Sequence, residues 1–133
     1  MATPPALPDE YFETRFRTPV APPGWPARFA ILTAWATTGE QWSPAQNQQA
    51  DARLAAHLAE RGLWHHRLTG YSPRTGHAEA GWAVELAPDA ARAVGVAFRQ
   101  DALYTVEDDA LWVLRCEDGR AESVGRFSER LDR

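Results

Sequence analysis

Phe29-Ala30-Ile31-Leu32-Thr33-Ala34-Trp35 is a continuous apolar run of strand length, and it predicts a central strand buried on both faces. Shortly after it, Ser43-Pro44-Ala45-Gln46 carries three agreeing helix-start signals: a serine cap, proline in the first turn, and glutamine three residues on. That helix is predicted to run to about Arg61 and to stop at Gly62, with Ala50, Leu54, Ala55 and Leu58 on its apolar side. Two strands follow, 63–69 and 77–86, joined by the turn-rich residues 70–76. In the second, Ala78, Ala80, Trp82, Val84 and Leu86 alternate with His77, Glu79, Gly81, Ala83 and Glu85, which predicts one apolar and one solvent-facing side. Pro88-Asp89 opens a second helix to about Arg99, and 102–107 with 110–116 reads as a hairpin around Asp108-Asp109.

The order strand, helix, strand, strand, helix, strand, plus an extra strand, closes most simply as an α+β ferredoxin-like split β-α-β sandwich. Its sheet is mainly antiparallel, with two helices on one face and an extra C-terminal strand. Residues 1–28 hold seven of the ten prolines and predict an extended N-terminal arm with one short strand near 11–16. Tyr11, Phe12, Phe16 and Trp25 predict that this arm packs on the body. Residues 29–116 read as a single α+β domain, and the polar residues 117–133 as an edge strand or tail.

At 133 residues, 44% apolar and 24% charged, the composition is that of one globular domain and excludes disordered and collagen-like classes. The apolar runs are far shorter than the roughly 20 residues of a membrane helix, and Met1-Ala2-Thr3-Pro4-Pro5 does not read as a secretory signal. The single cysteine, Cys116, excludes an internal disulfide and points to a reducing cytoplasm. A net charge of −4 lacks the footprint of a nucleic-acid binder. All 14 cations are arginine, while alanine occurs 24 times and isoleucine once, a skew that reads as codon bias from a GC-rich bacterial genome.

The topology gathers Trp35, Thr37, Thr38, Asn47, His77, Glu79, Gln100 and Asp101 at one end of the sheet, where the first helix's N-terminal amides would favour an anion. Trp42 and Trp25, in loops beside that end, are candidate pocket walls or contacts for the proline-rich arm. Asn47 falls on the inward side of its helix, either as a structural amide tying the helix start to the Thr33 or Trp35 backbone or as a ligand-orienting amide. Gln100 and Asp101 commonly cap a helix or brace a turn at such a position. Glu79 is a candidate general base or ligand contact; if His77 pairs with Thr69, it instead faces Arg67 as a cross-strand ion pair.

The residues 29–35, Asn47, Gly76-His77-Ala78-Glu79-Ala80-Gly81-Trp82 and Phe98-Arg99-Gln100-Asp101-Ala102-Leu103-Tyr104 resemble a bacterial family known as domain of unknown function 3293. The resemblance covers roughly residues 11–116 and implies a small cytosolic bacterial protein, with no established activity attached. Where the family pattern carries an asparagine-proline pair after the first strand, this chain has Ala36-Thr37. The polar positions shared with the pattern are Asn47, Glu79, Gln100 and Asp101.

Catalytic constellations are absent from the sequence. His65 and His66 point to opposite strand faces, His65 and His77 lie roughly 13 Å apart along the sheet, and His77 with Glu79 makes only two ligands, so no metal is expected. No nucleophile elbow or phosphate-binding glycine loop occurs, Cys116 reads as a small buried residue, and no cofactor is expected. The expectation is a non-enzymatic binding module, monomeric or a small homo-oligomer, with a ligand pocket lined by Trp35, Trp42, Asn47, His77, Glu79, Gln100 and Asp101. It would take a small polar ligand or a segment of a protein partner, with neither nucleic acid nor membrane as partner. The alternatives are an enzyme using Glu79 or Asp101 as general acid or base, and an acidic partner-neutralising protein of immunity or antitoxin type.

Overall fold

The apolar run around Ile31 becomes β2 (Arg28–Thr33), and its neighbours make it a middle strand of the sheet. The computed structural model describes residues 7–36 and 41–132. Among them, chain order is α1 (Glu10–Glu13), β1 (Arg15–Arg17), β2, α2 (Pro44–Glu60), β3 (His65–Tyr71), β4 (Ala78–Val84), α3 (Pro88–Ala97), β5 (Ala102–Glu107), β6 (Ala110–Arg115), β7 (Ala121–Arg126) and α4 (Phe127–Arg130). One seven-stranded sheet runs β1-β3-β4-β2-β5-β6-β7, with every neighbouring pair antiparallel. This is an α+β fold, and its sheet is larger than the four strands and one extra expected from the sequence. No helix among the described residues is long and apolar enough to cross a membrane.

Local chemistry explains the elements that were predicted. Ser43 Oγ accepts from the Gln46 amide and Gln46 Oε1 accepts from the Ser43 amide, a complete capping box with Pro44 in the first turn. Gly62 follows the helix at φ +66°, a conformation that costs glycine little. Asp108 and Asp109, both at positive φ, form the two-residue turn of the β5–β6 hairpin.

Each face of the sheet has its own core. On one, Ala50, Leu54 and Leu58 of α2 and Ala91 and Val94 of α3 pack against Ala30, Leu32, Val84 and Leu103. The second face buries Phe16, Phe29, Ile31, Leu68, Val113 and Phe127, with Tyr11, Phe12 and Trp25 packed on them. The side of β4 predicted to face solvent is therefore covered: Ala83 is fully buried, and Gly81 lies so close to β2 that a Cβ would sit 2.4 Å from the Leu32 carbonyl oxygen.

The arm and tail account for this second core. Residues 10–13 form a helical turn where a strand was predicted, and only Arg15–Arg17 pairs, with β3. At the other end, α4 buries Phe127, Leu131 bridges to Phe16, and the Asp132 amide donates to the Phe16 carbonyl at 2.7 Å. The arm at Phe16 and the tail at Leu131 thus meet, and the sheet curls into a half-barrel around the aromatic core.

Candidate functional site

Curling leaves a cleft of about 640 Å³ on the aromatic side, open towards the end of the sheet where β2 hands over to α2. Its floor is Ile31, Thr33, Ala102 and Tyr104; one wall is the arm, through Glu10, Tyr11, Thr14 and Phe16. The opposite wall is the β3–β4 hairpin, through Gly70, Tyr71, Ser72, His77 and Glu79. Trp35, Ala36, Gln41, Trp42, Asn47 and Gln100 complete the lining at the helix end.

Glu79 reaches the cleft because it lies on the side of β4 that the arm covers, and the hairpin register differs from the one assumed from the sequence. Thr69 pairs with Ala80 instead of His77, Glu79 lies opposite Gly70, and Arg67 lies opposite Trp82. The cause is the connection: the Ser72 amide bonds the His77 carbonyl, the Gly76 amide bonds the Ser72 carbonyl, and Ser72 Oγ accepts from the Thr75 amide. Arg67 instead makes a two-pronged pair with Asp51, at 2.9 and 2.7 Å, and stacks on Trp82. The expected Arg67–Glu79 pair therefore does not form. Glu79 Oε2 lies 3.2 Å from His77 Nε2. Burial pushes the Glu79 carboxyl above its ordinary value, and the contact with His77 opposes that shift.

The two amides are braces as well as lining. Asn47 Oδ1 accepts from the Ala36 amide at 3.0 Å, so it ties the helix start to the strand end, one residue beyond the predicted anchor. Gln100 Nε2 donates to the Trp35 and Phe98 carbonyls, and its Oε1 accepts from Thr33 Oγ1. It is carried there by the turn that ends α3, where Arg99 adopts φ +59° and the Gln100 amide bonds the Gly95 carbonyl. Asp101 is exposed and does not line the cleft; its carbonyl accepts from the Cys116 amide. Thr37 and Thr38 lie outside the described residues. The expected anion-favouring amides of α2 are partly consumed: Gln46 donates to Ser43 Oγ and Asn47 to the Ser43 carbonyl.

Tyr11, Tyr71 and Tyr104 line the cleft without having been anticipated. The Tyr104 hydroxyl donates to the Tyr11 carbonyl at 2.5 Å and lies 2.9 Å from Thr14 Oγ1, pinning the arm over the sheet. Arg130 donates to the Phe12, Thr14 and Val124 carbonyls from the other side. Alternation along 102–107 marks Tyr104 as inward-facing, but no local periodicity marks Tyr11 or Tyr71. Trp25 packs on Phe29 and Phe127 and lines a second, more open concavity with Trp64, away from the cleft. Trp112, on β6, is 37% exposed.

Among the described residues no group of three or more His, Cys, Asp or Glu side chains is placed to hold a metal ion. His66 bonds Thr18 and the Val20 carbonyl, and Cys116 is buried with its thiol pushed up to about 11 by desolvation. No curated protein and no solved structure matches the chain. A family model does match, over residues 32–103, a span that holds the β2–α2 junction, the hairpin with Glu79 and the Gln100 turn; the chain belongs to the family described as Protein of unknown function (DUF3293).

Proposed function

We propose that this chain is a non-enzymatic binding module whose cleft takes a small polar ligand. The carrying observation is convergence: Trp35, Trp42, Asn47, His77, Glu79 and Gln100, distant in sequence, line one concavity of about 640 Å³. That volume falls in the range of roughly 300–1,000 Å³ typical of small-molecule sites, which pair apolar walls with a few placed polar groups. Glu79 and His77 supply polar contacts that no arginine neutralises, while the aromatic rings supply contact area.

A second reading has one specific observation in its favour. Glu79 is a half-buried carboxyl with a raised pKa in a cleft, as a general acid or base requires, with Asn47 orienting substrate. Asp101, exposed and outside the lining, has less support in that role. The partner-neutralising reading has little, because the exposed large apolar side chains among the described residues are Val20, Val96 and Trp112, too few for a large patch. For the fold, we infer a ferredoxin-like split unit at the centre, supported by the order β3-β4-β2-β5 and by α2 and α3 sharing one sheet face. A cytoplasmic bacterial protein, monomeric or a small homo-oligomer, completes the reading.

The test is a thermal-shift screen against nucleotides, amino acids, sugars, amines and small acids. A ligand at a hundred times its Kd adds about 2.7 kcal/mol, which is several degrees for a chain of this size. The expected result is a hit lost in Asn47→Ala or Gln100→Ala with far-UV circular dichroism unchanged. Silence across the panel, or a hit indifferent to both variants, contradicts the proposal.

A further inference from the structure

We propose that the ligand of this cleft is a small organic cation, an amine or quaternary ammonium carrying apolar groups beside its charge. The inference rests on the binding-module reading and adds the chemical class.

Charge is the first ground. The chain has 14 arginines and no lysine, yet none of the described lining residues is a cation; the lining carries the carboxylates Glu10 and Glu79 and the imidazole of His77. Arg67, three strand positions before Gly70 of the same hairpin wall, is turned away and matched by Asp51. A negatively biased, partly desolvated cleft attracts cations and repels anions, and the effect grows as water is excluded.

The second ground is the aromatic surface. Tyr11, Trp35, Trp42 and Tyr104 line the same space as Glu79, and ring faces beside a carboxylate are the surroundings in which ammonium groups bind by cation–π attraction. The chain already uses this contact elsewhere, with the Arg67 guanidinium 3.8 Å from the centre of the Trp82 ring. Tyr71 is already engaged by Arg17, 5.0 Å from its ring centre, so Trp35, Trp42 and Tyr104 carry the inference. The feature that would favour an anion, a free helix start, is partly spent on the Ser43 capping box.

Glu79 completes the match. Its polar contact among the described residues is the His77 ring at 3.2 Å, and a bound ammonium would supply a full counter-charge to a half-buried carboxylate. Because burial favours the neutral acid, cation binding would expel the Glu79 proton, and affinity should rise with pH across the acid range. The titratable groups facing it are His77 on the hairpin, Glu10 and Tyr11 on the arm, Tyr71 on β3 and Tyr104 on β5.

The experiment is a tryptophan-fluorescence titration of the full chain with matched sets: choline, its neutral isostere 3,3-dimethylbutanol and the anion 3,3-dimethylbutyrate, then benzylammonium, benzyl alcohol and benzoate. The expected result is that at least one cation binds about tenfold or more tighter than its neutral twin, weakens on acidification, and loses that preference in Glu79→Gln. Urea unfolding of Glu79→Gln checks that the fold is retained, and His77→Gln provides a second variant that changes the Glu79 contact without removing the carboxylate. If a neutral or anionic member binds as tightly as its cationic twin and Asn47→Ala abolishes it, the cleft binds ligands but the cation assignment is wrong. If no member binds at any charge while the screen above finds an uncharged or anionic hit at the cleft, the cation class is again overturned, whereas an amine hit there supports it. Silence in both experiments overturns the binding reading with it.

Discussion

The two faces of the sheet are built by opposite means. On the helix face, α2 and α3 bring Ala, Leu and Val at helical spacing onto Ala30, Leu32, Val84 and Leu103, and small residues let backbones come close. A Cβ on Gly95 would sit 2.8 Å from Cys116 Sγ and 2.9 Å from Leu103 Cδ2, so α3 is seated as near as glycine permits. The opposite face is covered by a proline-rich arm and a helical turn, and its packing is aromatic: Phe16 against Tyr104 at 5.3 Å, Trp25 against Phe127 at 5.1 Å. Large rings held by irregular segments do not interdigitate like aliphatic side chains on helices, and the unfilled volume between arm and sheet is the cleft. One face holds the fold; the other holds the candidate site.

If that division is right, truncation costs most on the helix face. Leu54→Ala, at a fully buried position, should lower stability by about 2–5 kcal/mol, and Tyr11→Ala, at a half-buried arm position, by about 1–2 kcal/mol. Urea unfolding of both variants checks this, and equal losses would mean that the arm is as integral as α2. A smaller effect separates the arm's hydrogen bonding from its packing. Tyr104→Phe keeps the ring and removes the donor to the Tyr11 carbonyl, with an expected cost of about 1 kcal/mol. Amide hydrogen exchange should then quicken in 11–16 and stay unchanged in α2; faster exchange in both would break the comparison.

The smallest effect is a pH dependence. Glu79 has its carboxyl raised above the ordinary 4.5 in the folded protein, chiefly by burial. The folded state therefore holds this proton more tightly than the unfolded chain, so stability is lost as pH rises through the interval above 4.5 and levels off beyond the folded value. Glu79→Gln has no such proton to lose. Its urea midpoint, relative to the parent protein, should improve as pH rises above 4.5. A relative decline over that range would show a carboxylate stabilised in its charged form, reversing the electrostatics argued for the cleft.

The helix face was legible in the sequence because its signals are local. Ser43, Pro44, Gln46 and Gly62 mark the ends of α2, and Asp108-Asp109 marks the hairpin, each through chemistry within a few residues. The aromatic face depends on distant pairings that no window contains. Leu131 meets Phe16, and the Tyr71 hydroxyl donates to Asp132 at 2.5 Å, a contact that belongs with the extension of β3 as far as Tyr71. The partner of Glu79 across the hairpin, Gly70 instead of Arg67, followed from the details of the Ser72–Gly76 turn, which alternation cannot report. Candidate residues on regular elements or at their ends, Asn47, Glu79 and Gln100, could be named in advance; the arm as a wall, through Tyr11 and Thr14, could not.

The six tryptophans allow the most direct measurement. Trp35 and Trp42 line the cleft, Trp25 and Trp64 line the second concavity, Trp82 lies under Arg67, and Trp112 sits on β6. Their indole N–H signals in a nitrogen–proton correlation spectrum, assigned by single Trp→Phe substitutions, report each region separately. Titration with the tightest compound from the screens should move the Trp35 and Trp42 signals in a saturable way and leave those of Trp64, Trp82 and Trp112 in place. Saturable movement confined to Trp25 and Trp64, or none at Trp35 and Trp42, would contradict a binding site between the arm and the sheet.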